Sequence, residues 1–227
     1  MQDKNITFDR SSNVEFYKTL QKRVRGYFKE NNISRYANAG MVIKSIFMVS
    51  LYLVPFILML TILESPWLIM LMWVIMGFGI SGIGLSIMHD ANHGAYSKNK
   101  NVNKFFGAFL NLAGGSPYMW RIQHNVLHHT YTNVTGMDED IAPGNVMRFS
   151  PYEKRRKFHK YQHLYAWFLY GMMTIMWVTV KDFRQLFDYS SRGLTKTERD
   201  STVKLFIEIF ATKLLYYAVF LVLPLIF

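Results

Sequence analysis

The sequence contains no cysteine, which excludes disulfides, thiolate metal sites and a cysteine nucleophile while leaving the compartment open. Acidic residues are scarce: 15 Asp and Glu stand against 26 Lys and Arg, a formal net charge of +11. No nucleic-acid-binding motif accompanies that charge, so nucleic acid is not expected as a partner. Lys and Arg collecting in the cytoplasmic loops of a membrane protein is the reading that remains. The N-terminus is polar and of mixed charge, without the apolar core of a cleavable signal peptide, so the first span is expected to act as its own insertion signal. Internal repeats and low-complexity tracts are also lacking.

What the chain does have is long apolar blocks. Hydrophobic residues make up 51% of it and aromatics 16%, and residues 45–63 and 65–88 carry no charge. About 20 apolar residues cross the hydrocarbon core as a helix, so both blocks are long enough. A core helix of a soluble protein is rarely so long and apolar all round. The link between the blocks is short (Leu63, Glu64, Ser65, Pro66) and lacks a basic residue, which predicts a tight hairpin on the outer side. Pro66 suits the first helical turn, where its missing N–H costs nothing. A third block, 209–227, reads as a third span.

Residues 1–40 hold eight Lys and Arg and residues 89–163 hold ten, which puts both on the cytoplasmic side. Within the first of these, Val14–Phe28 is partly amphipathic and suits the membrane surface. Gly77, Gly79, Ser81, Gly82, Gly84 and Ser86 give the second span small residues for close helix approach. Residues 105–120 are apolar but too short to span, and Gly114, Gly115 and Pro117 break them; an interfacial or re-entrant element is expected. Residues 164–180 are read as an interfacial helix, because a span there would push the basic 181–205 segment outside. The expected fold class is all-α: polytopic membrane helices with a cytosolic histidine region and interfacial helices. Its expected divisions are a lead-in at 1–40, a transmembrane hairpin at 41–88, the histidine region at 89–205 and a third span at 206–227.

All seven histidines fall between positions 89 and 163. His89 and His93 are four apart, as are His124 and His128, so each pair shares a helical face. His129 is offset by about 100° and can serve a second metal nearby. A lone histidine is usually a surface or hydrogen-bonded residue, but repeated pairs following an uncharged span are not explained that way. Ionisable residues at a membrane boundary are functional candidates, and imidazoles suit Fe, Zn, Cu or Ni.

The segments HDANHGAYS and WRIQHNVLHHTYTN resemble the first two histidine boxes of the membrane fatty acid desaturases, and RRKFHKYQHLYAWFLYG resembles the front-end and linoleoyl-CoA-type subgroup. The resemblance implies two non-haem iron ions, with His89, His93, His124, His128, His129 and His163 as metal ligands and His159 as a surface residue. It implies O₂ as co-substrate, an acyl-CoA or acyl-lipid substrate, and removal of two hydrogens to leave a double bond. No haem motif of a fused cytochrome b5 is present, so an external ferredoxin or cytochrome b5 type donor is implied, and the basic face suits an acidic partner. Asp90, Asn92 and Asn125 are either orienting partners of the imidazoles or ordinary helix-end hydrogen-bonders. Asp138, Glu139 and Asp140 read as a solvated acidic turn. Trp120 and Arg121 read as an interfacial anchor, with a contact to substrate or headgroup as the alternative.

One departure stands out. Family members carry a third histidine box beyond a returning hairpin, and neither is present. The chain is therefore expected to be the N-terminal portion of a desaturase, binding metal weakly and inactive alone. Rival readings are a sibling membrane di-iron hydroxylase or ketolase, and a non-catalytic metal- or lipid-binding remnant. A metal transporter would need acidic or His residues within the spans, and the first two have none.

Overall fold

The computed structural model describes residues 6–9, 13–142, 144–195 and 201–226. Most of the first twelve residues of the lead-in, and Phe227 at the end of the expected third span, lie outside these. Among the described residues all regular structure is helical. The elements are α1 (Val14–Glu30), α2 (Ala39–Thr61), α3 (Pro66–Asn92), α4 (Lys100–Gly107), α5 (Pro117–Arg121, running on as π-helical turns over Ile122–His128), α6 (Gln162–Met176, widened over Trp177–Lys181), α7 (Asp182–Ser191) and α8 (Thr202–Ile226).

Among the described residues three helices, α2, α3 and α8, are long and apolar enough to cross a membrane. Their outward faces carry Ile43, Phe47, Trp67, Phe78, Leu85, Leu214 and Leu225, all exposed. So much apolar surface suits lipid and not water, and this is an all-α membrane protein. The helices begin earlier than the uncharged blocks, at Ala39 and Thr202, because the polar first turns still form helix. Asn38 caps α2 by accepting from the Met41 N–H at 2.9 Å, and Pro66 opens α3 at its first turn.

In a bilayer, lipid tails are as apolar as leucine, so α2 and α3 are held by close contact and not by transfer from water. Gly79 supplies that contact: a Cβ there would lie 2.7 Å from the Tyr52 nitrogen and 2.8 Å from the Leu51 carbonyl carbon. Gly77, on the other side of the helix, faces open space. The opposite end of α8 closes the cluster, with Phe220 5.4 Å from Tyr52 and 5.0 Å from Phe56.

The 105–120 segment does not span. It completes α4, tightens into a 3₁₀ stretch at Ala108–Ala113 and turns at Gly114, whose φ of 74° is left-handed. Tyr52 of α2 donates to the Leu112 carbonyl at 2.8 Å, and Asn92 at the end of α3 donates to the Gly107 carbonyl at 3.2 Å. The segment is thus folded back against the hairpin, which pairs its Gly107 and Leu112 carbonyls. Below it, Tyr118, Met119, Ile122 and Leu127 of α5 pack with Leu186 and Tyr189 of α7 and Leu205 and Ile209 of α8. That second cluster carries the helix on which His124, His128 and His129 sit.

Candidate metal centre

His89 and His93 stand at the C-terminal end of α3, just after its π-helical turns at Ile83–Met88. The helix stops there because Gly94 takes a φ of 69° and returns its N–H to the Ala91 carbonyl at 2.9 Å. His124, His128 and His129 come from α5. Ser116 caps that helix by accepting from the Met119 N–H, and Pro117 occupies its first position.

These two helix ends bring five imidazoles together. The rings of His89 and His93 are 4.6 Å apart, His124 lies 5.2 Å from each of them, and His129 lies 4.9 Å from both His93 and His124. His128 stacks on His124 at 5.0 Å. The ligand atoms of His89, His93 and His124 lie within 4.8 Å of one another, a group able to hold a metal ion. His163 is not brought to this cluster: it is exposed in the first turn of α6 and belongs to neither three-residue group. His159 sits apart with both ring nitrogens engaged, by the Arg156 N–H and the Asn145 carbonyl.

The acidic turn corrects the sequence expectation. Asp138 is fully buried, and its carboxylate accepts from His128 Nδ1 at 3.0 Å, the Asn133 N–H at 2.8 Å and the Asp140 N–H at 2.9 Å. Asp140 Oδ2 lies 3.2 Å from His124 Nδ1 and 3.4 Å from His128 Nδ1. Asp140 also takes a bond from Gln123, which Gln185 of α7 holds in turn. Glu139 accepts from Tyr189 at 2.6 Å. The turn is therefore only partly solvated: Asp138 is buried and Asp140 exposed, and together they form the floor beneath the second pair of histidines. His124, His128 and Asp140 also meet as a possible ligand group, but the Nδ1 contacts account for it as a carboxylate bridging two rings.

Trp120 is likewise misread as an interfacial anchor. It is buried and stacks on His124 at 4.5 Å, with T-shaped contacts to His89 and His93 at 5.7 and 5.9 Å. Arg121 donates to Asn92 at 3.2 Å and joins the two helix ends. Of the three polar flanking residues, Asp90 reaches an imidazole, with its Oδ1 3.2 Å from His89 Nδ1. Asn92 and Asn125 bond backbone instead, the latter donating to the Asn92 carbonyl at 3.0 Å.

The electrostatics favour the ligand form of these rings. Burial, reinforced by the neighbouring imidazoles His89, His124 and His129, pushes His93 down to about 4, so it is neutral at physiological pH. Burial also lowers His124, against the opposing pull of Asp140. For Asp138, burial works upward but is outweighed by the bonds from Asn133, His128 and Asp140, so its carboxyl is held below the ordinary range. An ionised Asp138 fixes the His128 proton on Nδ1 and leaves Nε2 as a lone pair, the carboxylate–histidine arrangement typical of metal sites.

The residues fit a non-haem metal. The donors are imidazoles, the Nδ1 atoms of His89, His124 and His128 are tied to carboxylates, and Asn125 Oδ1 beside them is buried without a hydrogen-bond partner, a polar atom that an ion's bound water would satisfy. Comparison with known proteins agrees. Residues 65–227 match the family model described as fatty acid desaturase. The chain belongs to the fatty acid desaturase family. It is 37% identical over 172 residues to the sn-1 linoleoyl-lipid 6-desaturase of Arthrospira platensis, covering 76% of this chain and 46% of that protein. It is 35% identical over 216 residues to the acyl-lipid (8-3)-desaturase of Physcomitrium patens, covering 94% of this chain and 45% of the relative. The chain thus spans about half the length of the curated desaturases it matches. No solved structure matches it significantly.

Proposed function

We propose that this chain is part of an O₂-dependent acyl desaturase and carries the first two histidine boxes of its di-iron site. The observation that carries the reading is the convergence of His89, His93 and His124 above a floor where Asp138 and Asp140 hold the Nδ1 atoms of His128 and His124. In this reading His89, His93, His124, His128 and His129 hold iron, and His163 stays outside the set. Iron, when bound, supplies the oxygen-dependent redox chemistry that removes two hydrogens from an unactivated acyl chain, a reaction beyond any side-chain acid or base.

The chain's own residues do the rest. Asp90, Asp138 and Asp140 fix ring orientation and tautomer. Trp120 covers one side of the cluster with an apolar indole and keeps water from it. The inner ends of α2 and α3 hold the site at the edge of the bilayer, where an acyl tail can enter from lipid while its polar head stays in water. The relatives act on acyl groups of lipids by name, which favours an acyl-lipid over an acyl-CoA substrate. The basic segments around the boxes favour the cytoplasmic side of a multi-pass protein for them, open to an external ferredoxin or cytochrome b5 type donor.

The test is expression of the whole gene product in cells fed a deuterium-labelled fatty acid, with mass spectrometry of the lipids. A product lighter by two hydrogens, lost on His124→Ala, supports desaturation. A product that has gained an oxygen atom refutes desaturation in favour of hydroxylation, and an unchanged acyl pool with protein and iron present refutes both.

A further inference from the structure

We propose that Lys213, a charge inside the apolar α8, is a positioning residue of the metal centre: paired with Asp182, it fixes the start of the second-box helix. The inference rests on the metal reading above. Ionisable residues within apolar membrane helices are expensive and call for an account. Lys213 is 4% exposed, near the middle of α8. Its Nζ lies 2.8 Å from Asp182 Oδ2, 2.8 Å from the Gly114 carbonyl and 2.7 Å from the Trp177 carbonyl. An ammonium has three N–H donors, and here three acceptors from three separate segments use them.

Each acceptor has a local reason to need a partner. Gly114 makes the left-handed turn of the re-entrant segment, so its carbonyl has left the helical ladder. Trp177 opens the widened turn at the end of α6, which loosens the ladder there as well. No water is at hand in hydrocarbon to satisfy either carbonyl. Tyr217, one turn along α8, treats the next carbonyl the same way and donates to Val178 at 2.7 Å. Asp182, 2% exposed, carries the connection onward, because the same Oδ2 accepts the Ser116 N–H at 3.0 Å. Ser116 caps α5, and His124 follows two turns later on that helix. One ammonium therefore sets the re-entrant turn, the α6–α7 joint and the cap of the helix bearing three proposed ligands. A cap needed only for folding would not have to meet the cap of α5.

The test uses the full chain in detergent micelles, with helix content followed by circular dichroism. Because the sequence has no cysteine, nitroxide labels at Val126→Cys and Ile207→Cys, both exposed, report the α5–α8 distance without background. Cobalt(II) titration reads the metal site separately through its ligand-field spectrum. Lys213→Met is expected to broaden the distance distribution and weaken Co(II) binding by about 10-fold, the low end of the effect of losing a direct outer partner of a metal ligand, because it acts through Asp182 and Ser116. Lys204→Met, exposed on the same helix, is expected to change neither. Should the single variant fail to fold, Lys213→Met/Asp182→Asn carries the test, since it leaves no unpaired buried charge. A folded variant with an unchanged narrow distance and unchanged Co(II) affinity overturns the proposal. A chain with Lys213 intact that binds no Co(II) overturns the metal reading, and the label distances still judge the clamp.

Discussion

Asp138→Asn isolates the role of the carboxylate floor. The side chain is fully buried and serves three donors: His128 Nδ1 and the N–H groups of Asn133 and Asp140. Asparagine keeps the shape and one acceptor oxygen, but presents its own N–H₂ where the other oxygen took a bond. Bonds to a charged acceptor contribute about 1.5–3 kcal/mol and neutral ones about 0.5–1.5 kcal/mol, so the substitution is expected to destabilise the 133–140 turn by about 2–4 kcal/mol. It also removes the charge that fixes the His128 proton on Nδ1, and Co(II) affinity is expected to fall about 10- to 100-fold. The assay is Co(II) titration of the chain in micelles, beside Asp188→Asn as control. Among the described residues Asp188 pairs across the surface with Arg192, so its loss should stay within about 0.5 kcal/mol. An Asp138→Asn protein with unaltered Co(II) affinity would refute the orienting role and leave the turn a mere loop.

Three further outcomes follow from the geometry. Gly79→Ala should push α2 and α3 apart and cost about 1–3 kcal/mol, whereas Gly77→Ala, facing open space, should be near neutral; urea titration in micelles compares them, and equal effects would refute the Gly79 contact. Tyr52→Phe strands the Leu112 carbonyl and should cost about 1–3 kcal/mol, seen as faster hydrogen exchange in the 108–116 segment and contradicted if exchange there is unchanged. The metal-free histidine cluster should loosen on acidification: His93 is neutral in the fold with its value lowered to about 4, so its contribution is full above the ordinary histidine value of about 6.5 and is lost as pH falls through 4. Histidine NMR resonances followed over that range would check this, and a His93 that titrates near 6.5 would contradict it.

The spans and the paired histidines were legible because each depends on spacing along one element. Uncharged runs of span length and His pairs at four-residue intervals are local facts. The floor of the site was not legible in the same way. Asp138 and Asp140 lie ten and more residues from the rings they hold, and an acidic turn in a basic loop looks solvated until the chain folds back at Asn133. The turn follows the second box directly and is hydrogen-bonded to it, and that nearness was the only signal. Trp120 sits where a membrane protein often puts an interfacial anchor, and only the approach of α3 to α5 turns it toward the imidazoles. Lys213 was visible as the one charge in the last apolar block, but its partners come from residues 114, 177 and 182.

The widened turns at Ile83–Met88 and Ile122–His128 have a consequence for chain length. A π-helical turn is what a helix becomes when it absorbs one extra residue without losing its axis. One such turn lies directly before His89 and the other contains His124 and His128. Removing a single residue there, Leu85 for instance, would let α3 relax to ordinary helix with His89 and His93 still facing His124, whereas a deletion in the α-helical part of α3 ahead of Ile83 would swing them by about 100°. The number of residues ahead of the first box is then free by one within the widened turn and fixed outside it. Among relatives, one-residue gaps ahead of this box should fall within Ile83–Met88 and be absent from the helix before it.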